Sequence, residues 1–463
     1  MKNLLRSGFG LLLVSLASGC GRGDATPAPT PGEPTTATPT NASGATLVSG
    51  DVVPTKLFAR PPLANIAGET VTVSLPVSPR TPFALPARPE VGTFKDTIVR
   101  IAPGSSARDI AVPVDAPEGT VVYVVPKTTD VKLGGMVLRD FKVMDPTSKL
   151  RVDLREAKNT AEVKSVDDLA RSTFTLEGKH LAGAYTLKIG AEAAKIGVAV
   201  EFRFPNSAVA LEVTPSTAQF FPGDEAWVTI KLADGAAGIN GAELDAHLLN
   251  PDGTVGSVVT IREVGNGEYR ALVSKSFTES NTVGTYNLEV HAKGKASSGV
   301  AFDRFGHTAF GFAIPTGRMT SVSAPRNVLD EAGKVAAFEV DVDLEIASAD
   351  RYELSGTLVA LALDGTERPV GEAQTTITLD AGTHKATLRF DAGYAALTKL
   401  DGSYALRNLR VFSLGTNSLF HRLGNGLAIR FPAVKIADLA AVKEMTPALD
   451  EMITTGEFDL TKK

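Results

Sequence analysis

Cysteine is almost missing from this chain: there is one among 463 residues, at position 20. No intrachain disulfide can form, so any folded domain must stand on hydrophobic burial. Tryptophan occurs once and tyrosine seven times. The longest N-terminal apolar run is too short for a membrane-spanning helix, which needs about twenty residues. Basic clusters are missing, and a net charge of −5 argues against a nucleic-acid partner. Catalytic signatures are missing too. The six histidines, His180, His247, His291, His307, His384 and His421, stand apart in sequence, with no His-Glu-x-x-His pair for zinc. No Gly-x-Ser-x-Gly elbow occurs. "GNGEYR" and "GNGLAI" lack the third glycine and the lysine of a phosphate loop and read as hairpin turns. The sequence therefore predicts no catalytic residue, no cofactor, no metal site and no enzyme.

What is present begins at the N-terminus. "MKNLLRSGFGLLLVSLASGC" places Lys2 and Arg6 before the apolar run 9–16, then Ala17, Ser18 and Gly19 before Cys20. That order is an export signal over 1–19. "LASGC" resembles the lipobox of bacterial lipoproteins, with Ala17 where that family most often has leucine. The resemblance implies cleavage before Cys20, acylation of its thiol, and a membrane partner reached through lipid. At about 0.8 kcal/mol per buried CH₂, two or more acyl chains hold a protein on a bilayer. Gly21, where an aspartate would mark inner-membrane retention, implies the outer membrane of a bacterial cell envelope. Residues 20–50 are Pro, Thr, Ala and Gly with almost no large apolar side chain, which predicts an extended linker reaching up to roughly 90 Å. The "RGD" at 22–24 reads as chance.

Beyond residue 50 the chain is too long for one core, which predicts several domains. "VAAFEVDVDLEI", 335–346, alternates strictly between apolar and acidic residues. That is a strand with one buried face and one wet face. "DEAWVTIKL" at 224–232 and "HKATLRF" at 384–390 alternate likewise. Turn dipeptides lie between such runs: Asp234-Gly235, Asp252-Gly253, Asn266-Gly267, Asp364-Gly365 and Asp401-Gly402. Many short strands with frequent turns predict an all-β protein of β-sandwiches. One phrase, Gly-x-Tyr-x-Leu, occurs three times about a hundred residues apart, around Tyr185, Tyr286 and Tyr404. In immunoglobulin-like sandwiches a tyrosine near the start of a late strand bonds back to the preceding backbone. The repeat therefore predicts three such corners, one per sandwich.

Two regions carry further resemblances. Residues 206–315, with "LLNPDGTVGSVVTI", "GNGEYRALV" and "GTYNLEVHAKGKASSGVAFDRFGHTAFGFAI", look like the macroglobulin- or invasin-like modules of bacterial surface proteins. Residues 319–431, with "LDAGTHKATLRF" and "LDGSYALRNLRVF", look like another sandwich module of exported bacterial proteins. The whole resembles uncharacterised envelope lipoproteins of tandem immunoglobulin-like domains. The expected boundaries are 51–205 for a first sandwich, with a short helix at 165–172, then 206–315 and 316–432. A tail at 433–463 places Leu439, Val442 and Met445 at helical spacing until Pro447 interrupts.

Two clusters invite a site. Glu339, Asp341, Asp343 and Glu345 share one strand face, but same-face neighbours sit about 6.8 Å apart, against calcium–oxygen bonds of about 2.3–2.6 Å. A solvated face is expected. His307 lies beside Asp303, Arg304 and aromatics. Asp303 and Arg304 read as polar contacts at a domain edge, and the aromatics read as core. The expected function is a non-enzymatic envelope lipoprotein, a rod of sandwiches that presents a surface to a protein or glycan partner. The alternatives are an accessory or inhibitor of a secreted enzyme, and an extracellular hydrolase. No thioester cysteine is present, which excludes covalent trapping.

Overall fold

Alternating apolar and polar residues build this protein wherever a sheet has one face inside and one outside. The computed structural model describes residues 48–442, apart from 49, 62–67, 79–82, 84–90, 129, 149, 154–172, 177–180, 274–276, 363–364 and 426–428. The acidic-apolar run forms the strand Val335–Ile346, whose Phe338, Val340, Val342, Leu344 and Ile346 are all buried. The run at 384–390 lies in Gly382–Asp391, and that at 224–232 is a strand only from Val228, in Val228–Asp234. The fold is all-β, as expected. Six sheets, antiparallel but for one short pair, face one another in twos and enclose three separate hydrophobic cores.

The first unit packs a sheet of Asp96–Ile101, Val198–Arg203, Val121–Pro126 and Thr173–Thr175 on a second sheet. That second sheet holds Arg108–Val114, Gly183–Ile189, Phe141–Met144 and Leu150–Asp153. Two helices, Val131–Arg139 and Ala191–Ile196, pack on each other beside it. The Asp130 carboxylate caps the first, accepting from the Lys132 and Leu133 amides. The second and third units follow over about 206–315 and 316–442, each with a two-sheet core. No described helix is long and apolar enough to cross a membrane.

The three predicted corners are formed. The hydroxyl of Tyr185 donates to Leu181 O at 3.2 Å, that of Tyr286 to Thr282 O at 2.8 Å, and that of Tyr404 to Leu400 O at 3.2 Å. Each bond reaches four residues back. Gly183 and Gly284 both have φ of 149°, and Gly402 has φ of 131°. A Cβ on Gly183 or Gly284 would press on Pro146 or Pro251, so glycine is required twice over, by backbone and by space. A fourth corner lacks the glycine phrase: the Tyr352 hydroxyl donates to Ser348 O at 2.9 Å.

One expectation needs correction. Residues 51–205 were to form the first sandwich, but the described parts of 51–94 serve the other two units. Val52 bridges Arg422 and enters the third core, while Phe58 enters the second. The strand Val71–Pro76 pairs with Glu367–Leu379 of the third unit. Gly92–Phe94 pairs with Val209–Pro215 of the second. The first unit begins only at Asp96. The physical reason is that an extended segment gains most by closing an open sheet edge, and both edges lie in later units. The tail docks through a single 3-10 turn, Ile436–Asp438, and buries Leu439 in the third core. Met445, Pro447, the helix expected at 165–172, His180, Cys20, the signal and the linker lie outside the described residues.

Candidate functional site

Among the described residues, the strongest concentration of buried charge lies where the first unit meets the second. The strand Ala301–Phe312 carries Arg304 with its side chain fully enclosed. Burying a guanidinium costs several kcal/mol unless its donors find partners, and here each of its three nitrogens has at least one. Its Nη2 donates to both Asp115 oxygens at 2.7 and 2.8 Å and to Ser207 Oγ at 2.6 Å. Nε donates to Val209 O at 3.1 Å and Nη1 to Asp303 O at 2.8 Å. The Phe204 ring lies 4.7 Å from the guanidinium carbon, a geometry that favours a cation over an aromatic face. Asp115 follows a strand of the first unit, Ser207 lies in the connection between units, and Arg304 belongs to the second. One side chain thus ties all three.

Outside this lock, the wet face of the second unit collects three histidines. Register places His247 opposite Glu289 and Glu289 opposite His307. His291 stands opposite Asp245 on one side and Phe305 on the other. The strand Asp96–Ile101 and its approach lie across this face. Arg100 grips Glu289 with two bonds of 2.7 and 2.8 Å and sits 5.0 Å from the Phe305 ring. Phe94 packs on His307 at 5.0 Å. Burial lowers the pKa of both His291 and His307. Burial also raises Asp303, and burial, then Glu201, pushes Asp96 up to about 6. His247 Nε2 pairs with Asp245 at 2.8 Å.

Chemically, this arrangement joins the first unit to the second. Arg304, Arg100 and Arg203 each hold a carboxylate across or beside the joint. Among the described residues no group of three or more His, Cys, Asp or Glu side chains is placed to hold a metal ion. Asp303 and Arg304 make domain-edge contacts, while Phe302, Phe310 and Phe312 enter the second core. Phe305 is buried on the opposite face, against Arg100. The acidic stripe of the third unit is paired with cations. Glu339 meets Arg326 and Arg389, Asp341 meets Arg326 and Thr387, and Glu345 meets Arg318. Asp343 takes the Ser321 hydroxyl. His421 is buried in the third unit, where Nδ1 accepts from the Met319 amide at 3.0 Å and Nε2 has no partner. His384 bonds Asp380 O at 2.8 Å.

Sequence reasoning missed Asp115 and Ser207 as partners of Arg304, and it missed the gathering of three histidines on one face. A signal for the second was present: the turn at 296–300 fixes a hairpin of two twelve-residue strands, Gly284–Lys295 and Ala301–Phe312, that sets His291 against Phe305.

Residues 320–430, inside the third unit, match a family described as "Domain of unknown function (DUF4785) C-terminal domain". A crystal structure of a DUF4785 family protein from Legionella pneumophila is similar, with a TM-score of 0.58 and 18% identity, covering 83% of this chain and 98% of that one. Identity that low speaks for the fold alone. Bacillus licheniformis lipase BlEst2 in propeptide form gives a TM-score of 0.26 at 10% identity, over 49% of this chain and 43% of that one. A Salmonella alpha-2-macroglobulin mutant gives 0.21 at 12%, over 75% and 24%. Neither carries an argument. No curated protein matches the chain.

Proposed function

We propose that this chain is a non-enzymatic lipoprotein of the bacterial cell envelope, anchored through Cys20, in which three sandwich units form one stiff scaffold that presents a binding surface. The observation that supports this is the use of the most deeply enclosed charge. Arg304 is committed to holding two units and their connection together, with all five of its bonds made inside the protein. A joint locked by matched buried charges resists bending, whereas units joined only by a polar linker move freely. The arm formed by the described parts of 51–94 adds to this: Val71–Pro76 and Gly92–Phe94 close edges of the third and second units, and Val52 bridges to Arg422. The anchor itself rests on "LASGC" and on the position of the single thiol.

Fractionation of intact cells tests the anchor. The parent chain goes to the membrane fraction and incorporates a labelled fatty acid, and Cys20→Ala does neither. A Cys20→Ala protein that stays with the membrane ends the lipid reading. Cross-linked capture from the same cells tests the binding role. The supporting result is one recurrent envelope partner, and its loss when the first unit's exposed loops are replaced.

A further inference from the structure

The strand Val71–Pro76 is an unusual edge. It pairs along all six residues with Glu367–Leu379, yet none of its side chains is buried. Its apolar residues point outward: Val71, Val73 and Leu75 are 46%, 38% and 52% exposed. The same arm holds firmly elsewhere, with Val52 at 2% and Phe58 at 6% exposure. The strand is therefore held by main-chain bonds and a few polar contacts. Thr72 and Thr375 hydroxyls meet at 3.4 Å, Ser74 Oγ accepts from the Asp391 amide at 2.9 Å, and Glu69 O accepts from Arg351 at 2.9 Å. A permanent guard strand ordinarily carries charge or proline along its length to blunt the edge; this one has a proline only at its last position, Pro76, carries no charge, and presents three apolar residues. The edge beneath it is shaped for a backbone. A Cβ on Gly371 would lie 2.9 Å from Leu75 O, so glycine there admits a closely approaching chain.

We propose that the edge of Glu367–Leu379 is a strand-accepting site, occupied here by the chain's own Val71–Pro76, which lifts away to admit an extended segment of a partner protein. Main-chain bonds along a sheet edge give affinity, and alternate side-chain positions give selectivity. The seated strand defines that selectivity: small hydroxyl residues on the face of Thr72 and Ser74, which meets Thr375 and Asp391, and apolar residues on the other. Lifting it withdraws no buried side chain of its own, so the main competing cost is the intramolecular advantage of a tethered strand, an effective concentration on the order of millimolar. The site belongs to the third unit and does not depend on where the chain is anchored.

The test uses the full chain carrying Cys20→Ala and a fluorescent peptide of residues 69–77, ETVTVSLPV. Val77 N bonds Val370 O, so antiparallel alternation makes Val73 a donor to the edge. Val73→Pro removes that donor, and this variant is expected to bind the peptide at least tenfold more tightly than the parent. Thr72→Cys with Thr375→Cys staples the strand in place. The oxidised protein is expected to bind at least tenfold more weakly than the same protein after dithiothreitol. The peptide carrying Thr72→Lys and Ser74→Lys is expected not to bind. Equal binding to the oxidised and reduced forms overturns the proposal, because the peptide is then adding to the outer strand rather than replacing it. A Val73→Pro protein of native circular dichroism that binds no better than the parent overturns it as well. Should Val73→Pro not fold, the staple alone decides.

Discussion

At the scale of single residues, Arg304 has the greatest consequence. Removing one partner of a buried pair leaves the other charge uncompensated and costs about 3–5 kcal/mol, whereas replacing both with apolar groups can be neutral. Arg304→Met should therefore lower the unfolding free energy by about that amount, read from a sharply lower urea midpoint, while Arg304→Met with Asp115→Leu should recover most of the loss. Additive losses in the double variant would show that the pair is not the unit of stability. The corner tyrosines act on a smaller scale. Tyr286→Phe deletes one hydroxyl bond of 2.8 Å and should cost about 1 kcal/mol, measured by the same denaturation. Tyr352 should cost more, because its hydroxyl serves both Ser348 O and the buried Thr316 hydroxyl at 2.7 Å. These corners were legible in advance for Tyr185, Tyr286 and Tyr404 because glycine, tyrosine and leucine fall in fixed order. Tyr352 was not, since its corner is made without the glycine.

At the scale of elements, what could be read in the sequence was local. Val335–Ile346 announces itself because period two is written in adjacent residues, and Asn266-Gly267 because both adopt positive φ, 51° and 72°, in the turn they form. Pairing across long separations leaves no such mark. Nothing near Val71 names its partner some three hundred residues later, and His247, His291 and His307 share a face only through strand register. The strand Ser418–Leu423 illustrates a further property with a measurable outcome. Its His421 is enclosed, with Nε2 unpartnered, and burial, aided by Arg318, pulls its pKa from 6.5 down to about 3. Above pH 6.5 the ring is neutral folded or unfolded and contributes no pH dependence. As pH falls through 6.5, the unfolded chain takes up a proton that the folded chain refuses, so stability declines progressively toward pH 3. The full loss is on the order of 3–5 kcal/mol. His421→Asn keeps an acceptor for the Met319 amide without the titration. Urea midpoints measured between pH 7 and 4 should fall less steeply for it than for the parent. Parallel slopes would assign the acid sensitivity to other groups.

At the scale of the whole molecule, three separate cores need not mean three separate unfolding events. The arm contributes Val52 to the third core and Phe58 to the second, and Phe221 and Ala313 of the second unit also pack in the third core. The lock at Arg304 joins first to second. Coupling of this kind makes one unit's opening expose surface belonging to another, which raises cooperativity across the chain. The composition supplies a direct probe. The single tryptophan, Trp227, sits in the second unit, with Arg270 5.1 Å from its ring. Its fluorescence therefore reports the second unit, while far-ultraviolet circular dichroism reports every strand. In the parent chain the two urea transitions should coincide. Arg304→Met should separate the first unit from the others, so that part of the circular dichroism signal is lost before the tryptophan responds. Val52→Ala should act at the other end, costing about 2–3 kcal/mol through a cavity in the third core. It should again pull the two probes apart. Transitions that already differ in the parent would mean that the joints transmit little free energy, and that the stiffness of the scaffold is confined to each sandwich.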